Sequence, residues 1–322
     1  MLVKKIKTIA CLGTGTMGHG IAFLAAKSGC AVRLFGRSQE SIQRGLASID
    51  RTITLYEDNA LMQKGLGDTI KANITGFVSI EEAVSGVGMV MESVAENMRV
   101  KHGVYQVAEK HCPDDAILAT NTSSLTLSEI ATVLKKPERF CAVHFSFPPY
   151  LMPTVEVCPC PATARSVVDA CAVWVESMGN VPIVMNKEVP GFLFNRLQAA
   201  CVREAAYIVE QGWASPETVD RAIVHSLGRR YSVTGPLVSA DMGGLDVFDA
   251  ILDELGDKLY SGKSPRLLKE LVKQGNLGMK SGQGIYKWPP EAIQEQRGRR
   301  ERALIAFIRQ DQEEKAQKKK AR

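Results

Sequence analysis

The sequence has no long apolar stretch, few aromatic residues and no paired cysteines. Charged residues, Gly or Pro interrupt every apolar run well short of the ~20 residues that a bilayer span requires. The N-terminal residues "MLVKKIKTIACLG" lead directly into a predicted strand, which is not typical of a secretory signal. We therefore expect a cytoplasmic protein without a membrane partner.

The eight cysteines are scattered and form no C-x-x-C unit, and no histidines stand at metal-ligand spacing. Only Cys158 and Cys160 lie close together. We expect most of the thiols to be small buried hydrophobes in a reducing compartment, and we predict no metal site.

A basic excess is confined to the C-terminal tail. Residues 291–322 hold ten Lys or Arg and six Asp or Glu, so the preceding 290 residues carry 30 basic and 29 acidic side chains. Only 6% of the residues are aromatic, and the body lacks a basic face interleaved with aromatic side chains. We therefore predict no nucleic-acid partner.

The 322 residues suit two domains, and the pattern of elements changes near residue 190. Up to there, strand-like runs alternate with helical ones, which favours an α/β fold with a Rossmann-type, doubly wound parallel sheet. The predicted strands are 6–12, 31–35, 87–94, 117–120, 140–146, 155–158 and 181–185. We assign residues 1–189 to a dinucleotide-binding domain, 190–290 to an all-α domain for substrate and dimerisation, and 291–322 to a polar helix and basic tail.

Within the second domain the pattern predicts helices over residues 192–211, 216–227, 245–260 and 265–274. The first has an apolar face wider than a small helical domain can cover alone, so we expect a two-fold homodimer. A polar helix from Pro290 to about residue 312 could pack along one domain through Ala303, Leu304, Phe307 and Ile308.

A glycine-rich segment follows the first predicted strand. Gly13, Gly15 and Gly18 form a G-x-G-x-x-G that opens the first predicted helix. Glycines let the backbone approach a pyrophosphate, which the helix N-terminus attracts through its N–H groups and dipole. We predict that these glycines, with Thr16 and Met17, bind a nicotinamide dinucleotide.

The end of the second predicted strand bears on the choice of cofactor. NAD-binding domains usually have Asp or Glu there for the adenosine ribose, whereas this chain has Gly36, followed by Arg37 and Ser38. A guanidinium beside a hydroxyl can bind a 2′-phosphate with charge-assisted hydrogen bonds. We therefore predict NADP, with NAD as the alternative if Arg37 is only a solvated turn residue.

Polar side chains follow other predicted strands, at the edge where open α/β sheets bind ligands. His144 and Glu156 lie in "AVHFSFPPYLMPTVEV", Ser123 in "NTSSLTLSEIA" and Asn195 in "PGFLFNRL". Oxidation of an alcohol needs a base, and a carboxylate on the other nitrogen of an imidazole fixes its tautomer. We predict a catalytic His144–Glu156 pair, with Ser123 and Asn195 binding the substrate oxygen and the imidazole.

Over about residues 5–288 the chain resembles the L-3-hydroxyacyl-CoA dehydrogenase family. The glycine-rich turn, "MESVAENMRVK", "NTSSLTLSEIA", "HF…P…VEV", "VPGFLFNRL" and "GMKSGQGIYKW" occur in the family's order. The resemblance implies a dinucleotide-binding domain, a helical domain that dimerises, and a His–Glu pair assisted by Ser and Asn at the four positions named above. It also implies that Glu96 and Lys101 lie near the nicotinamide half of the cofactor and the substrate.

Departures from the family pattern leave the substrate open. Phe147 stands where family members that act on acyl-CoA commonly have Asn, and Arg229 and Arg230 enter a loop that the resemblance places near the substrate. The leading interpretation is an NAD(P)-dependent oxidoreductase that interconverts an L-3-hydroxyacyl-CoA and a 3-oxoacyl-CoA, with Arg51 and Lys64 available for the CoA phosphates.

An alternative is a dehydrogenase of a small free hydroxy acid or carboxylated alcohol, with Arg230 binding the carboxylate. A third hypothesis, a non-catalytic dinucleotide-binding protein, is disfavoured because His144, Glu156, Ser123 and Asn195 are all present.

Overall fold

The computed structural model describes residues 6–320, without the side chains of residues 319 and 320. The expected dinucleotide-binding domain and basic tail extend past these limits, to residues 1–5 and 321–322, which lie outside the described residues. The chain divides into two compact units. The first runs through Leu193 and includes the residues from Arg300 onward, and the second comprises Phe194–Arg299.

An eight-stranded sheet forms the centre of the first unit. Its strands are β1 (Thr8–Leu12), β2 (Ala31–Phe35), β3 (Ile74–Phe77), β4 (Met89–Glu92), β5 (Ile117–Thr120), β6 (Phe140–Phe145), β7 (Thr154–Pro159) and β8 (Val181–Val184). They lie in the order β3-β2-β1-β4-β5-β6-β7-β8. The strand order reverses between β1 and β4, which confirms the predicted Rossmann-type fold and places a ligand crevice at their carboxyl ends.

The expectation of a parallel sheet is wrong for the last two strands. β7 runs antiparallel to β6, and β8 is parallel to β7. β6 and β7 are joined only by residues 146–153, whereas a parallel crossover needs about a dozen residues or more. The antiparallel register sets His144 directly opposite Glu156.

Within residues 18–177 of the first unit, seven helices cover the two faces of the sheet. They are α1 (Gly18–Lys27), α2 (Gln39–Asp58), α3 (Leu66–Ala72), α4 (Ile80–Val84), α5 (Met98–His111), α6 (Leu127–Ala131) and α7 (Arg165–Ser177). Because successive strand residues point to opposite faces, Ile9 and Cys11 of β1 join one apolar cluster and Ala10 and Leu12 the other. Burial on both faces explains the nearly continuous apolar strands.

The second unit is helical, as predicted. Its helices are α8 (Phe194–Glu210), α9 (Pro216–Ala222), α10 (Gly228–Tyr231), α11 (Pro236–Gly243), α12 (Leu245–Leu255) and α13 (Arg266–Lys273). A π-helical turn over Ile223–Leu227 joins α9 to α10, so the predicted helix 216–227 is not a single regular α-helix. α12 ends at Leu255, earlier than predicted, and a 3-10 turn starts at Gly256. No helix within residues 6–320 has the length and apolar character needed to cross a bilayer.

The C-terminal helix α14 (Pro290–Lys320) extends beyond the predicted end near residue 312. Its part in the first unit packs on the sheet cluster that contains Ile9, with Ile305 only 4% exposed. Phe307, which we expected to pack, is 53% exposed. The Arg309 guanidinium donates to the carbonyl of Asn59 at 2.7 Å. The residues of α14 from Arg300 onward are therefore an integral part of the first unit.

Candidate active site

The glycine-rich turn connects β1 to α1, and two of its glycines are fixed by close backbone contacts. Gly13 has a φ of 127°, and a Cβ there would overlap the carbonyl oxygen of Ser93. A Cβ at Gly18 would overlap the carbonyl oxygen of Gly13, so both positions require glycine. A Cβ at Gly15 would meet nothing within 4 Å, which leaves this part of the turn open to a ligand.

The N-terminus of α1 suits an anion. The helix begins at Gly18, its N-cap residue Met17 makes no side-chain cap, and its first turn contains no acidic residue. The N–H groups at a helix N-terminus and the positive end of the helix dipole attract phosphate. Thr16 lies exposed in the same turn. These residues fit the pyrophosphate of a dinucleotide.

The segment after β2 forms the start of α2. Ser38 caps this helix, because its hydroxyl accepts from the Ser41 N–H at 3.3 Å while the Ser38 N–H donates to the Ser41 hydroxyl at 3.2 Å. Arg37 is exposed. Glu40 also lies exposed in the first turn, and a hydrogen bond to Ser38 holds the pKa of its carboxyl below the ordinary value. The Glu40 carboxylate is thus present four residues after Gly36, the position at the end of β2 where NAD-binding domains usually have an acid.

The structure brings His144 and Glu156 together. The imidazole Nδ1 lies 2.7 Å from Glu156 Oε2, and the two residues are 8% and 0% exposed. Glu156 Oε1 accepts the backbone N–H of Leu193 at 2.7 Å, so both carboxylate oxygens are held. The ring of Phe192 packs against the imidazole, with ring centroids 5.5 Å apart. An ionised Glu156 accepts from Nδ1–H, and this tautomer assigns proton exchange to Nε2.

Ser123 lies in the loop that follows β5, and this loop is tied to the His144 strand. Asn121, at the start of the loop, accepts the backbone N–H of Phe145 at 2.9 Å through its side-chain oxygen. The backbone N–H of Ser123 donates to Glu96 Oε1 at 2.9 Å. The loop that carries Ser123 is therefore held by a side chain from another segment.

Glu96 and Lys101 are neighbours in the structure, and their predicted place near the cofactor and the substrate stays a prediction. Lys101 is 1% exposed, and its ammonium lies 2.7 Å from Glu92 Oε1 and 3.2 Å from Glu96 Oε2. Burial opposes ionisation of Glu96, yet the Thr122 hydroxyl and the Lys101 charge lower its pKa to about 2. Lys101 thus supports two carboxylates from within the protein.

Glu92 is the residue that sequence reasoning missed. It ends β4 and is fully buried. Besides Lys101, the hydroxyl of Thr120 donates to it at 2.7 Å and the backbone N–H of Val94 at 2.8 Å. The available signal was a carboxylate at the end of the apolar run "MVME", because a buried charge requires a partner.

A cavity of about 620 Å³ lies in the first unit beside Ser123 and Phe192. This volume suits a small organic molecule. Its cationic lining residues are Lys187 and Arg165, and Arg165 is paired with Asp169 at 2.9 Å. Among residues 6–320, no group of three His, Cys, Asp or Glu side chains is placed to hold a metal ion.

The remaining predicted site residues belong to the second unit. Asn195 is the second residue of α8, and Arg230 is an exposed residue of α10. The neighbouring Arg229 has its guanidinium 3.4 Å from the His225 ring. The assignment of Asn195 and Arg230 to the site stays a prediction.

Comparison with known families and proteins is consistent over both units. Residues 8–189 match the family model "3-hydroxyacyl-CoA dehydrogenase, NAD binding domain". Residues 191–288 match "3-hydroxyacyl-CoA dehydrogenase, C-terminal domain".

Two relatives differ in the substrates that their names state. The 5-formyl-3-hydroxy-2-methylpyridine 4-carboxylate 5-dehydrogenase of Mesorhizobium japonicum is 32% identical over 308 residues, covering 94% of this chain and 98% of the relative. A probable 3-hydroxybutyryl-CoA dehydrogenase of Bacillus subtilis is 34% identical over 288 residues, covering 88% of this chain and 98% of the relative.

A solved structure of a protein with the same activity as the first relative is also similar to this chain. The crystal structure of a 5-formyl-3-hydroxy-2-methylpyridine 4-carboxylic acid 5-dehydrogenase, which is called an NAD+-dependent dismutase, superposes with a TM-score of 0.87 at 31% identity. It covers 94% of this chain and 98% of that chain.

Proposed function

The chain belongs to the 3-hydroxyacyl-CoA dehydrogenase family and is a dehydrogenase of hydroxyl groups; on this premise we propose that His144, oriented by Glu156, is its catalytic base. One observation carries the proposal: Nδ1 of His144 lies 2.7 Å from a fully buried carboxylate oxygen of Glu156. A carboxylate in this position fixes the tautomer and stabilises the imidazolium that forms when the base accepts a proton.

A nicotinamide cofactor held at the turn of Gly13, Gly15 and Gly18 would supply the acceptor for the hydride on the alcohol carbon, and the donor in the reverse direction. His144 Nε2 takes the hydroxyl proton during oxidation and gives it back during reduction. The Ser123 hydroxyl binds the substrate oxygen, and Asn195 is the further residue that the family resemblance assigns to the reaction. The turn of Gly13, Gly15 and Gly18 binds the pyrophosphate.

Substitution of the pair tests this proposal. We expect His144→Gln to lower kcat by about 10²- to 10⁴-fold, because base catalysis is lost, while the cofactor dissociation constant stays near normal. Glu156→Gln should also lower kcat, since the imidazolium loses its ionic partner. Steady-state kinetics and cofactor titration check both expectations, and full activity in either variant would show that the pair is not catalytic.

For the substrate, we propose a small alcohol or hydroxy acid that carries a free carboxylate, with an L-3-hydroxyacyl-CoA as the second candidate. The likeness to the pyridine carboxylate dehydrogenase supports the substrate with a free carboxylate. That likeness covers 94% of the chain and therefore extends into α14, whereas the family models end at residue 288. The second is supported by the relative named as a probable 3-hydroxybutyryl-CoA dehydrogenase. On the first proposal, Arg230 pairs with the substrate carboxylate.

A substrate panel with Arg230→Met separates the two candidates. We expect this variant to lose most activity on free 3-hydroxy acids or aromatic carboxylated alcohols, because the substrate carboxylate loses its charge-assisted hydrogen bonds to the guanidinium. The neutral thioester carbonyl of acetoacetyl-CoA should be barely affected. Arg229→Met is the matched control and should retain activity on both. Robust turnover of acetoacetyl-CoA that survives Arg230→Met, without turnover of any free acid, would establish the thioester instead.

For the cofactor, we propose a preference for NADP over NAD. Gly36 leaves no acid at the end of β2, and the exposed Arg37 lies at the N-terminus of the long helix α2, where a 2′-phosphate is favoured. Two observations favour NAD instead, namely the NAD+-dependent dismutase and the carboxylate of Glu40.

We expect kcat/KM for NADPH to exceed that for NADH. Arg37→Ala should reduce the difference in activation free energy between the two cofactors, calculated from their kcat/KM values, by about 1.5 to 3 kcal/mol. This is the contribution of a hydrogen bond to a charged group. Glu40→Gln is the complementary variant, since it lowers NADH use only if Glu40 binds the adenosine ribose. Equal use of both cofactors by the unmodified protein would refute the preference.

We also propose that the protein forms a two-fold homodimer through the second unit. Large apolar side chains remain exposed there, including Leu197 at 65% and Leu237 at 82%. A contiguous patch of such residues on a soluble protein marks an interface. A mass near the 35.1 kDa of one chain in light scattering at micromolar concentration would contradict the dimer.

A further inference from the structure

The buried Glu92 carboxylate is the starting point of a chain of polar contacts that ends at the Ser123 loop. Removal of a carboxylate from water is costly unless charges and hydrogen bonds compensate it. Lys101 supplies the charge, with its ammonium 2.7 and 2.9 Å from the two oxygens of Glu92. The hydroxyl of Thr120 and the backbone N–H of Val94 supply two further donors.

The Lys101 ammonium serves a second carboxylate. It lies 3.2 Å from Glu96 Oε2, and the side chain of Glu96 is 37% exposed, so only one of the two carboxylates is buried completely. Two carboxylates and one ammonium leave this triad with one net negative charge. That charge is available to accept hydrogen bonds from the loop.

Glu96 Oε1 receives four hydrogen bonds from three consecutive residues of the loop. The hydroxyl of Thr122 donates at 2.6 Å, the N–H of Ser123 at 2.9 Å, and both the N–H and the hydroxyl of Ser124 at 3.1 Å. Such bonds to an ionised acceptor are about twice as strong as neutral ones. The loop conformation therefore depends on Glu96 being ionised.

Glu92 also holds the loop by a second route. The hydroxyl of Thr120 that donates to Glu92 accepts the backbone N–H of Thr122 at 3.1 Å. One route thus passes through Lys101 and Glu96, and the other passes through Thr120. Both begin at the same buried carboxylate.

We propose that Glu92, acting through Lys101 and Glu96, is a positioning residue that sets the placement of the Ser123 hydroxyl for hydride transfer. The inference rests on the proposed function in one respect, namely that Ser123 contacts the substrate. It assigns to the Glu92–Lys101 pair a role in the chemical step, beyond stabilisation of the fold.

The test uses a variant that removes both buried charges together. Removal of Lys101 alone would leave the buried Glu92 charge uncompensated. The Glu92→Gln/Lys101→Met double variant removes both charges of the pair and keeps side chains of similar size. Circular dichroism and the melting temperature check that it folds. If it does not, Glu92→Gln alone keeps the shape of the side chain and replaces it in the kcat measurements, although it leaves the Lys101 ammonium beside Glu96.

We expect the double variant to lower kcat by about 10- to 100-fold, the worth of charge-assisted hydrogen bonds, with a smaller effect on the cofactor KM. In a protein that already carries Ser123→Ala, the Glu92→Gln/Lys101→Met change should lower kcat by less than about threefold further. Substitutions that act through the same residue do not have additive effects. The proposal would be overturned if the fold-loss in kcat of the combined variant equalled the product of the losses of the double variant and of Ser123→Ala. Ser123→Ala with full activity would instead refute the proposed role of Ser123, so the two failures are distinguishable.

A pH profile separates positioning from simple stabilisation. In the unmodified protein Glu96 stays ionised down to low pH, because its pKa is about 2. Within residues 6–320, the charged side chain in contact with Glu96 is Lys101, and Lys101 is in turn paired with Glu92. Without that ammonium the Glu96 pKa rises, since burial and the loss of a cation both favour the neutral acid. The ordering of the loop is then present above this raised pKa and lost as the pH falls through it.

We therefore expect the ratio of variant to unmodified kcat to fall as the pH is lowered through the raised pKa of Glu96 in the double variant. Taking the ratio removes the pH effects that are common to both proteins. A ratio that stays constant down to the lowest pH at which both proteins remain folded would overturn the proposal.

Discussion

The fully buried carboxylate of Glu156 constrains much of the first unit. It can remain ionised away from water only if its two oxygens have partners, and these are the imidazole of His144 on the adjacent strand and the backbone N–H of Leu193. The antiparallel pairing of β6 and β7 provides the first partner, since it sets the two residues opposite each other. The positive φ of Phe192 belongs to the turn that brings the Leu193 N–H back to the carboxylate.

A second buried carboxylate follows the same rule at the end of β4. Glu92 and Glu156 are both fully buried, and each is held by a cationic or ionisable side chain together with a backbone N–H. Because every acceptor oxygen is occupied, neither carboxylate can rotate without loss of a hydrogen bond that water does not replace. Rigidity near the proposed active site thus follows from the cost of leaving a buried charge unpaired.

The helix α14 distinguishes this chain from the part of the family that the two domain models describe. Those models end at residue 288, whereas the helix continues to Lys320 and adds Ile305 to the apolar cluster on one face of the sheet. Arg309 and Gln312 also satisfy backbone carbonyls at Asn59 and Leu61. The C-terminal segment is therefore folded onto the dinucleotide-binding unit by apolar burial and hydrogen bonds together.

The sequence by itself determined the Rossmann-type fold and the helical second unit, and each strand predicted for the first unit is present in the structure. Strong apolar runs and the G-x-G-x-x-G are local signals that do not depend on distant parts of the chain. It missed β3, since the half-exposed segment "ITGF" has Thr and Gly and no clear alternation. The sequence also indicated His144 and Glu156, because both lie in segments that resemble one family.

Only the tertiary structure decided which distant groups meet. The direction of β7, the burial of Lys101 between two carboxylates, and the burial of Ile305 in place of Phe307 all depend on what another segment packs against each residue. Periodicity records that a side chain is apolar, but not which neighbour covers it. For a charged residue such as Glu92, the composition of its strand shows that a partner is needed, whereas the identity of that partner is set by the packing of α5 against the sheet.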